Sequence, residues 1–171
     1  MQESVTYEEY PLKIPLISIS LTIAVYGIGT YILAGFGILW ALLYMIYCIL
    51  IEISVLRGSC VNCWYYGKRC GLGRGKLCAK LFKKGDPQKF SAREISWIQI
   101  IPDFLVIIFP IVGSIILLIL AFNLTLLMVL IILIILYFVG NAFVRGMLTC
   151  KYCKQRELGC PAAKMFNKEK E

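Results

Sequence analysis

The sequence predicts an all-α integral membrane protein of four transmembrane helices, built as two tandem helical hairpins with cysteine-rich cytoplasmic extensions. Three observations carry this reading. Hydrophobic residues fill 60% of the 171 positions and the mean hydropathy is +0.79, against roughly 45–50% apolar usage in soluble domains. Four apolar stretches, 14–33, 36–56, 102–122 and 124–144, each match the about 20 helical residues that cross a bilayer core. The spacing Cys60-x2-Cys63-x6-Cys70 recurs as Cys150-x2-Cys153-x6-Cys160, every position displaced by 90 residues. Each copy follows an apolar segment ending in Arg-Gly, at Arg57-Gly58 and Arg145-Gly146. The chain therefore reads as one unit written twice, with a period of about 90.

Taken in order, residues 1–13 form an N-terminus whose leading charges are acidic (Glu3, Glu8, Glu9). That charge and the absence of a credible cleavage site exclude a signal peptide and predict a retained first span. Residues 14–56 form the first hairpin, turning at the uncharged Ala34-Gly35. In its first span Ser20, Ala24 and Gly27 fall at i, i+4 and i+7, a small-residue stripe suited to close helix approach. Cys48, inside the second span, reads as an apolar packing residue.

Residues 57–101 form a basic loop with ten Lys and Arg against Asp86 and Glu94. Residues 102–144 form the second hairpin, turning at Asn123. Pro15, Pro102 and Pro110 are placed in or near first helical turns, where a missing N–H costs least; Pro110 lies deepest and kinks its helix. Residues 145–171 form a tail with seven basic residues against Glu157, Glu169 and Glu171. Basic segments resist translocation, which puts loop, tail and, with an even number of spans, the N-terminus on the cytoplasmic side of the cell membrane.

Seven cysteines fall in these cytoplasmic segments: Cys60, Cys63, Cys70, Cys78, Cys150, Cys153 and Cys160. A reducing compartment disfavours a disulfide framework, and an odd number cannot pair fully. A Cys-x2-Cys turn brings two thiolates to one side of a tight loop, the knuckle used by zinc and iron–sulfur sites. Two arrangements are open. Cys60, Cys63, Cys150 and Cys153 could share one site on a pseudo-twofold axis, or Cys60, Cys63, Cys70 and Cys78 could close a local set beside a tail triad. The chain has no histidine, so an all-thiolate site is implied, suited to zinc, an iron–sulfur cluster or Cu(I).

These residues predict a polytopic membrane protein with thiolate metal-binding clusters, acting as a scaffold or complex subunit, alone or in an oligomer. Two alternatives from other classes stand beside it. Thiol–disulfide or iron–sulfur redox chemistry would use the same cysteines, with Lys68, Arg69, Lys151 and Lys154 lowering thiol pKa. Soft-metal transport would recruit Cys48 as a relay. Conventional catalysis finds little material: without histidine, only Glu52 and Asp103 could serve as a general base. Glu52, Asp103, Asn141 and Arg145 lie near the cytoplasmic span ends, where an ion pair such as Glu52 with Arg145 is expected.

The Gly71-Leu-Gly-Arg-Gly-Lys76 stretch is not a phosphate loop, because Cys70 and Leu77 stand where that loop needs glycine and Ser or Thr. A flexible turn between cysteines is expected there. The basic segment 76–84 places Leu77, Cys78, Leu81 and Phe82 on one helical face with lysines elsewhere, and 162–168 repeats the idea. Such helices lie at the headgroup boundary and attract anionic lipid. The bilayer thus accounts for the net charge of +8, and no nucleic-acid partner is expected.

Overall fold

The computed structural model describes residues 6–92 and 97–161, with side chains from residue 100 onward in the second stretch. The described chain is helical, with no strand among the described residues and one isolated bridge between Tyr7 and Cys153. In chain order the helices are α1 (Lys13–Ala34), α2 (Ile38–Gly58), α3 (Arg74–Leu81), α4 (Pro87–Ser91), α5 (Trp97–Leu120), α6 (Leu124–Ile135) and α7 (Lys154–Glu157). Beyond Ile135 the α6 rod widens into π-helical turns over Leu136–Gly140 and Phe143–Thr149. Among the described residues four helices are long and apolar enough to cross a membrane. Their outward faces carry large exposed side chains, among them Ile38, Trp40, Leu50, Ile119 and Ile135. A soluble monomer rarely shows so much contiguous apolar surface, and lipid is the solvent that suits it.

The chain divides into two compact units. One comprises Ser20–Glu52 and Trp97–Ala142; the other comprises Met1–Ile19, Ile53–Ser96 and Phe143–Glu171. The first unit is the helical bundle. Val25 and Ile32 of α1, Ile107 of α5 and Leu133 of α6 form one buried cluster. Leu33 of α1, Tyr44 and Cys48 of α2 and Val106 of α5 form another. Cys48 is 2% exposed within it, the packing place expected of it.

The packing stripe of α1 differs from the expected one. Ser20 and Gly27 are exposed, and nothing lies within 4 Å of a side chain built on Gly27. The buried side is Ser18, Val25, Gly29 and Ile32. At Gly29 a methyl group would come within 2.5 Å of Tyr44 Oη, so that glycine admits α2. Small residues alone did not reveal the contact, because the bulky partner Tyr44 chooses which glycine it needs.

The prolines of α5 also lie deeper than expected. The helix begins at Trp97, so Pro102 and Pro110 are both interior. Pro110 cannot donate the helical hydrogen bond to the carbonyl of Val106. Tyr44 Oη donates to that carbonyl instead, at 2.9 Å. Tyr47 Oη donates to the carbonyl of Pro102 at 2.8 Å. A carbonyl freed by proline in a membrane helix, as that of Val106 is, needs such a partner.

The widened turns after α6 have local causes. The Asn141 side-chain amide donates to Tyr137 O at 2.8 Å, while the Asn141 backbone N–H donates to Phe138 O. Thr149 Oγ1 donates to Val144 O at 2.7 Å and to Arg145 O at 3.1 Å. Side chains that donate to carbonyls one turn back loosen the regular ladder. In this bundle α1 comes close at the same place, with Leu21 against Gly140.

Candidate thiol site

All seven non-bundle cysteines belong to the second unit, which also holds the ends of the second and fourth long helices. Both Cys-x2-Cys segments emerge from a helix end and fold into the same 3-10 turn. Cys63 N–H donates to Cys60 O at 3.3 Å, and Cys153 N–H donates to Cys150 O at 3.4 Å. The residue before each turn has similar dihedrals, Ser59 at φ −119, ψ −49 and Thr149 at φ −105, ψ −63. Each chain then leaves in extended conformation at its second cysteine.

That exit aims backbone donors at sulfur. Cys63 Sγ accepts from the N–H of Tyr65. At the start of α7 the backbone N–H groups of Gln155 and Arg156 favour the Cys153 thiolate, and Arg156 N–H donates to Cys153 O at 3.0 Å. Cys70 Sγ accepts from Arg74 N–H at 3.1 Å and Gly75 N–H at 3.2 Å, the first two residues of α3. A thiolate carries a negative charge that N–H dipoles stabilise, so such donors favour the ionised form.

The glycines expected to supply a flexible turn do something else. Gly71 and Gly75 are buried. A side chain on Gly71 would collide with Thr149, and one on Gly75 would collide with the carbonyls of Tyr65 and Lys68. Gly73 has φ +76 and opens α3, a conformation that glycine adopts without steric cost. The stretch is close-packed: Gly75 lies against backbone, and Gly71 against the Thr149 side chain.

The two knuckles are clasped to each other. Trp64 N–H donates to Gln155 Oε1 at 2.7 Å, and Lys154 N–H donates to Tyr65 Oη at 3.1 Å. Each bond runs from the residue after a second cysteine to the side chain two positions after the other second cysteine. Gln155 and Tyr65 are both buried, at 4% and 3% exposure, so the bonds are shielded from water. Lys68 and Lys154 place their ammonium groups 4.4 and 5.0 Å from the centre of the Trp64 ring.

An N-terminal strap lies across both. Tyr7 N–H donates to Tyr152 O at 3.0 Å, and Tyr10 N–H donates to Arg69 O at 3.0 Å. Tyr10 Oη donates to Thr149 O at 2.6 Å and Tyr65 Oη to Tyr7 O at 2.5 Å. Glu9 pairs with Arg69 at 2.9 Å and Glu8 with Lys154 at 3.1 Å. The acidic N-terminus, read from sequence only for topology, is thus the electrostatic partner of the basic knuckles. Its hydrogen bond and charge pairing with Lys154 hold the Glu8 carboxyl below its usual range.

The thiols fall into two neighbourhoods. Cys60 lies within electrostatic range of Cys70, Cys78 and Cys63. Cys150, Cys153 and Cys160 lie within range of one another. Cys63 reaches Cys153 and Cys160 as well as Cys70. Cys78 is fully buried, its Sγ donating to Leu56 O at 3.7 Å. Burial, with the charge of Cys153 adding, pushes the Cys63 thiol up to about 12. Burial likewise pushes Cys78 and Cys153 upward. All eight cysteines are thiols. Among the described residues no three Cys, Asp or Glu side chains converge as a ready metal-ion site.

Other expected residues are placed as follows. Glu52 accepts a hydrogen bond from Tyr26 Oη at 2.8 Å within the bundle unit. Cys78 turns inward from α3 while Leu77 and Leu81 are exposed beside the lysines, so the expected single apolar face is split. The tail helix expected over 162–168 lies outside the described residues. Sequence reasoning passed over Tyr7, Tyr10, Trp64, Tyr65 and Gln155. Applying the offset of 90 beyond the cysteines would have paired Trp64 with Lys154 and Tyr65 with Gln155. No family model, curated protein or solved structure is similar to this chain.

Proposed function

We propose that this is a polytopic membrane protein whose thiol unit faces the cytoplasm and binds zinc or an iron–sulfur cluster, as a structural scaffold or subunit of a membrane complex. The observation that carries the reading is the set of backbone N–H groups aimed at Cys63, Cys70 and Cys153. A buried thiol has no need of such donors; a thiolate that has lost its proton to a metal does. The upward shift of the Cys63 and Cys153 thiols runs against dithiol redox chemistry, where nucleophilic cysteines are held low. Metal would bring the sulfurs together as it binds, coupling ligation to the order of the helix ends.

The reading includes an architecture. Two hairpins, each ending in a knuckle, are related by a pseudo-twofold, and the reciprocal Trp64–Gln155 and Lys154–Tyr65 bonds support that relation. Both termini and the basic loop are cytoplasmic, on the strength of their Lys and Arg. Exposed Leu77 and Leu81, with the lysines of α3, suit an interfacial seat among anionic headgroups.

Elemental analysis and an absorption spectrum of the detergent-purified chain test the metal reading. Stoichiometric colourless zinc supports the scaffold, and a brown iron–sulfur chromophore supports the cluster form of the reading. Metal-free protein whose thiols cycle reversibly through disulfides would replace it with thiol–disulfide exchange. Uptake of Cu(I) that is lost in Cys48→Ala would replace it with transport.

A further inference from the structure

We propose that Lys68, Lys154 and Trp64 form a binding site for a terminal phosphate group, on a lipid headgroup or free in solution, and that Glu8 occupies it as an internal stand-in. The site is independent of metal at the thiols. The Lys68 and Lys154 ammonium groups lie 4.4 and 5.0 Å from the centre of one indole ring, that of Trp64. All three residues are anchored through their backbones. Lys68 N–H donates to Tyr65 O at 3.0 Å, Trp64 N–H to Gln155 Oε1 at 2.7 Å and Lys154 N–H to Tyr65 Oη at 3.1 Å. The Trp64 residue is 36% exposed and the Lys154 side chain 29%, so the site is preformed and still open to a ligand.

Two like charges gathered at one ring repel each other and call for an anion. Glu8 balances one of them, its Oε1 lying 3.1 Å from Lys154 Nζ. Among the described residues no carboxylate pairs with Lys68, which leaves the site with one positive charge in excess. The Glu8 side chain is 74% exposed, and an ion pair so open to water is weak. Its neighbours Tyr7 and Tyr10 are tied through their own N–H groups to Tyr152 O and Arg69 O. The Glu8 side chain can therefore swing away while the strap stays in place. A terminal phosphate brings about two negative charges and three accepting oxygens, enough to engage both ammonium groups at once. Lysine binds such a group as a point charge. Tryptophan at the level of the headgroups is a common feature of membrane proteins, which favours the lipid source.

The test uses the full chain in uncharged detergent with Trp40→Phe and Trp97→Phe, so that emission reports Trp64 alone. Inorganic phosphate and short-chain phosphatidic acid are titrated, with short-chain phosphatidylcholine as the control. A saturable change in emission is expected. Given by phosphatidic acid alone it assigns the lipid source; given by inorganic phosphate as well it assigns the phosphate group by itself. Lys68→Gln should weaken binding roughly 10-fold, the lower end of what a hydrogen bond to a charged group is worth. Glu8→Gln should tighten it, and by more than Glu9→Gln, whose partner is Arg69. No saturable change with either phosphate, an equal response to phosphatidylcholine, or unaltered affinity in Lys68→Gln overturns the site. Equal tightening in Glu8→Gln and Glu9→Gln overturns the stand-in. The titration with both lysines intact decides even where a lysine variant fails to fold, and metal content of the same preparation is read separately.

Discussion

Gly75 donates its N–H to Cys70 Sγ and accepts from Gly67 N–H at 3.1 Å, while the carbonyls of Tyr65 and Lys68 close over the place a side chain would need. Gly75→Ala must therefore push backbone aside, an overpacking cost of about 1–3 kcal/mol. A lowered melting midpoint in detergent, with no such drop for Gly27→Ala in open space, is the expected result. The thiols make a second residue-scale prediction. Burial raises the Cys63 thiol from 9.0 in the unfolded chain to about 12 in the folded one. Its folded-state value is raised, so the stability it contributes is fully present below the unfolded value and is lost as pH rises from 9 toward 12. Chelator-treated protein should thus melt earlier across that window, and Cys63→Ser should flatten the dependence. A flat wild-type profile would mean that Cys63 is not buried as described.

At the scale of elements, α2 and α5 are tied by a bond that exists because of a proline. Tyr44 Oη serves the Val106 carbonyl that Pro110 leaves without a helical donor. Tyr44→Phe should cost about 0.5–1.5 kcal/mol, the net worth of an ordinary hydrogen bond. In a Pro110→Ala background the helix regains its own N–H, and the same substitution should cost distinctly less. A double-mutant cycle with zero coupling would dismiss this pairing. The strap makes a parallel case. Tyr10 is 1% exposed and its hydroxyl holds Thr149 O, so Tyr10→Ala removes both packing and clasp. Faster maleimide labelling of Cys153 in metal-free Tyr10→Ala protein is expected, whereas Glu9→Ala, breaking an exposed pair, should change little.

For the whole molecule the decisive quantity is sidedness. Lys84 lies in the basic loop and Phe122 in the uncharged turn between α5 and α6. If positive charge holds the loop inside, a membrane-impermeant thiol reagent should label Phe122→Cys in intact cells. Lys84→Cys should react only after the membrane is opened. Reversed labelling would place the thiol unit on the oxidising side, and disulfide chemistry would then become the natural use of its cysteines.

The four apolar helices were legible in the chain because a bilayer imposes length and hydropathy, two properties that local sequence carries openly. The paired knuckles were legible because cysteines at a repeated spacing have few other uses. Which glycine admits a neighbouring helix was not: Gly27 and Gly29 look alike until Tyr44 is placed against one of them. Nor were the widened turns after α6, which depend on Asn141 and Thr149 donating to carbonyls that a regular helix would keep. The clasp and the strap lay further out of sight. Tyr7, Tyr10 and Tyr65 meet Tyr152, Thr149 and Lys154 across 89 to 145 residues of chain. Pattern and composition report what a segment prefers in its solvent, whereas contacts between distant segments exist only once the chain has closed its loops and chosen which donors remain to be satisfied.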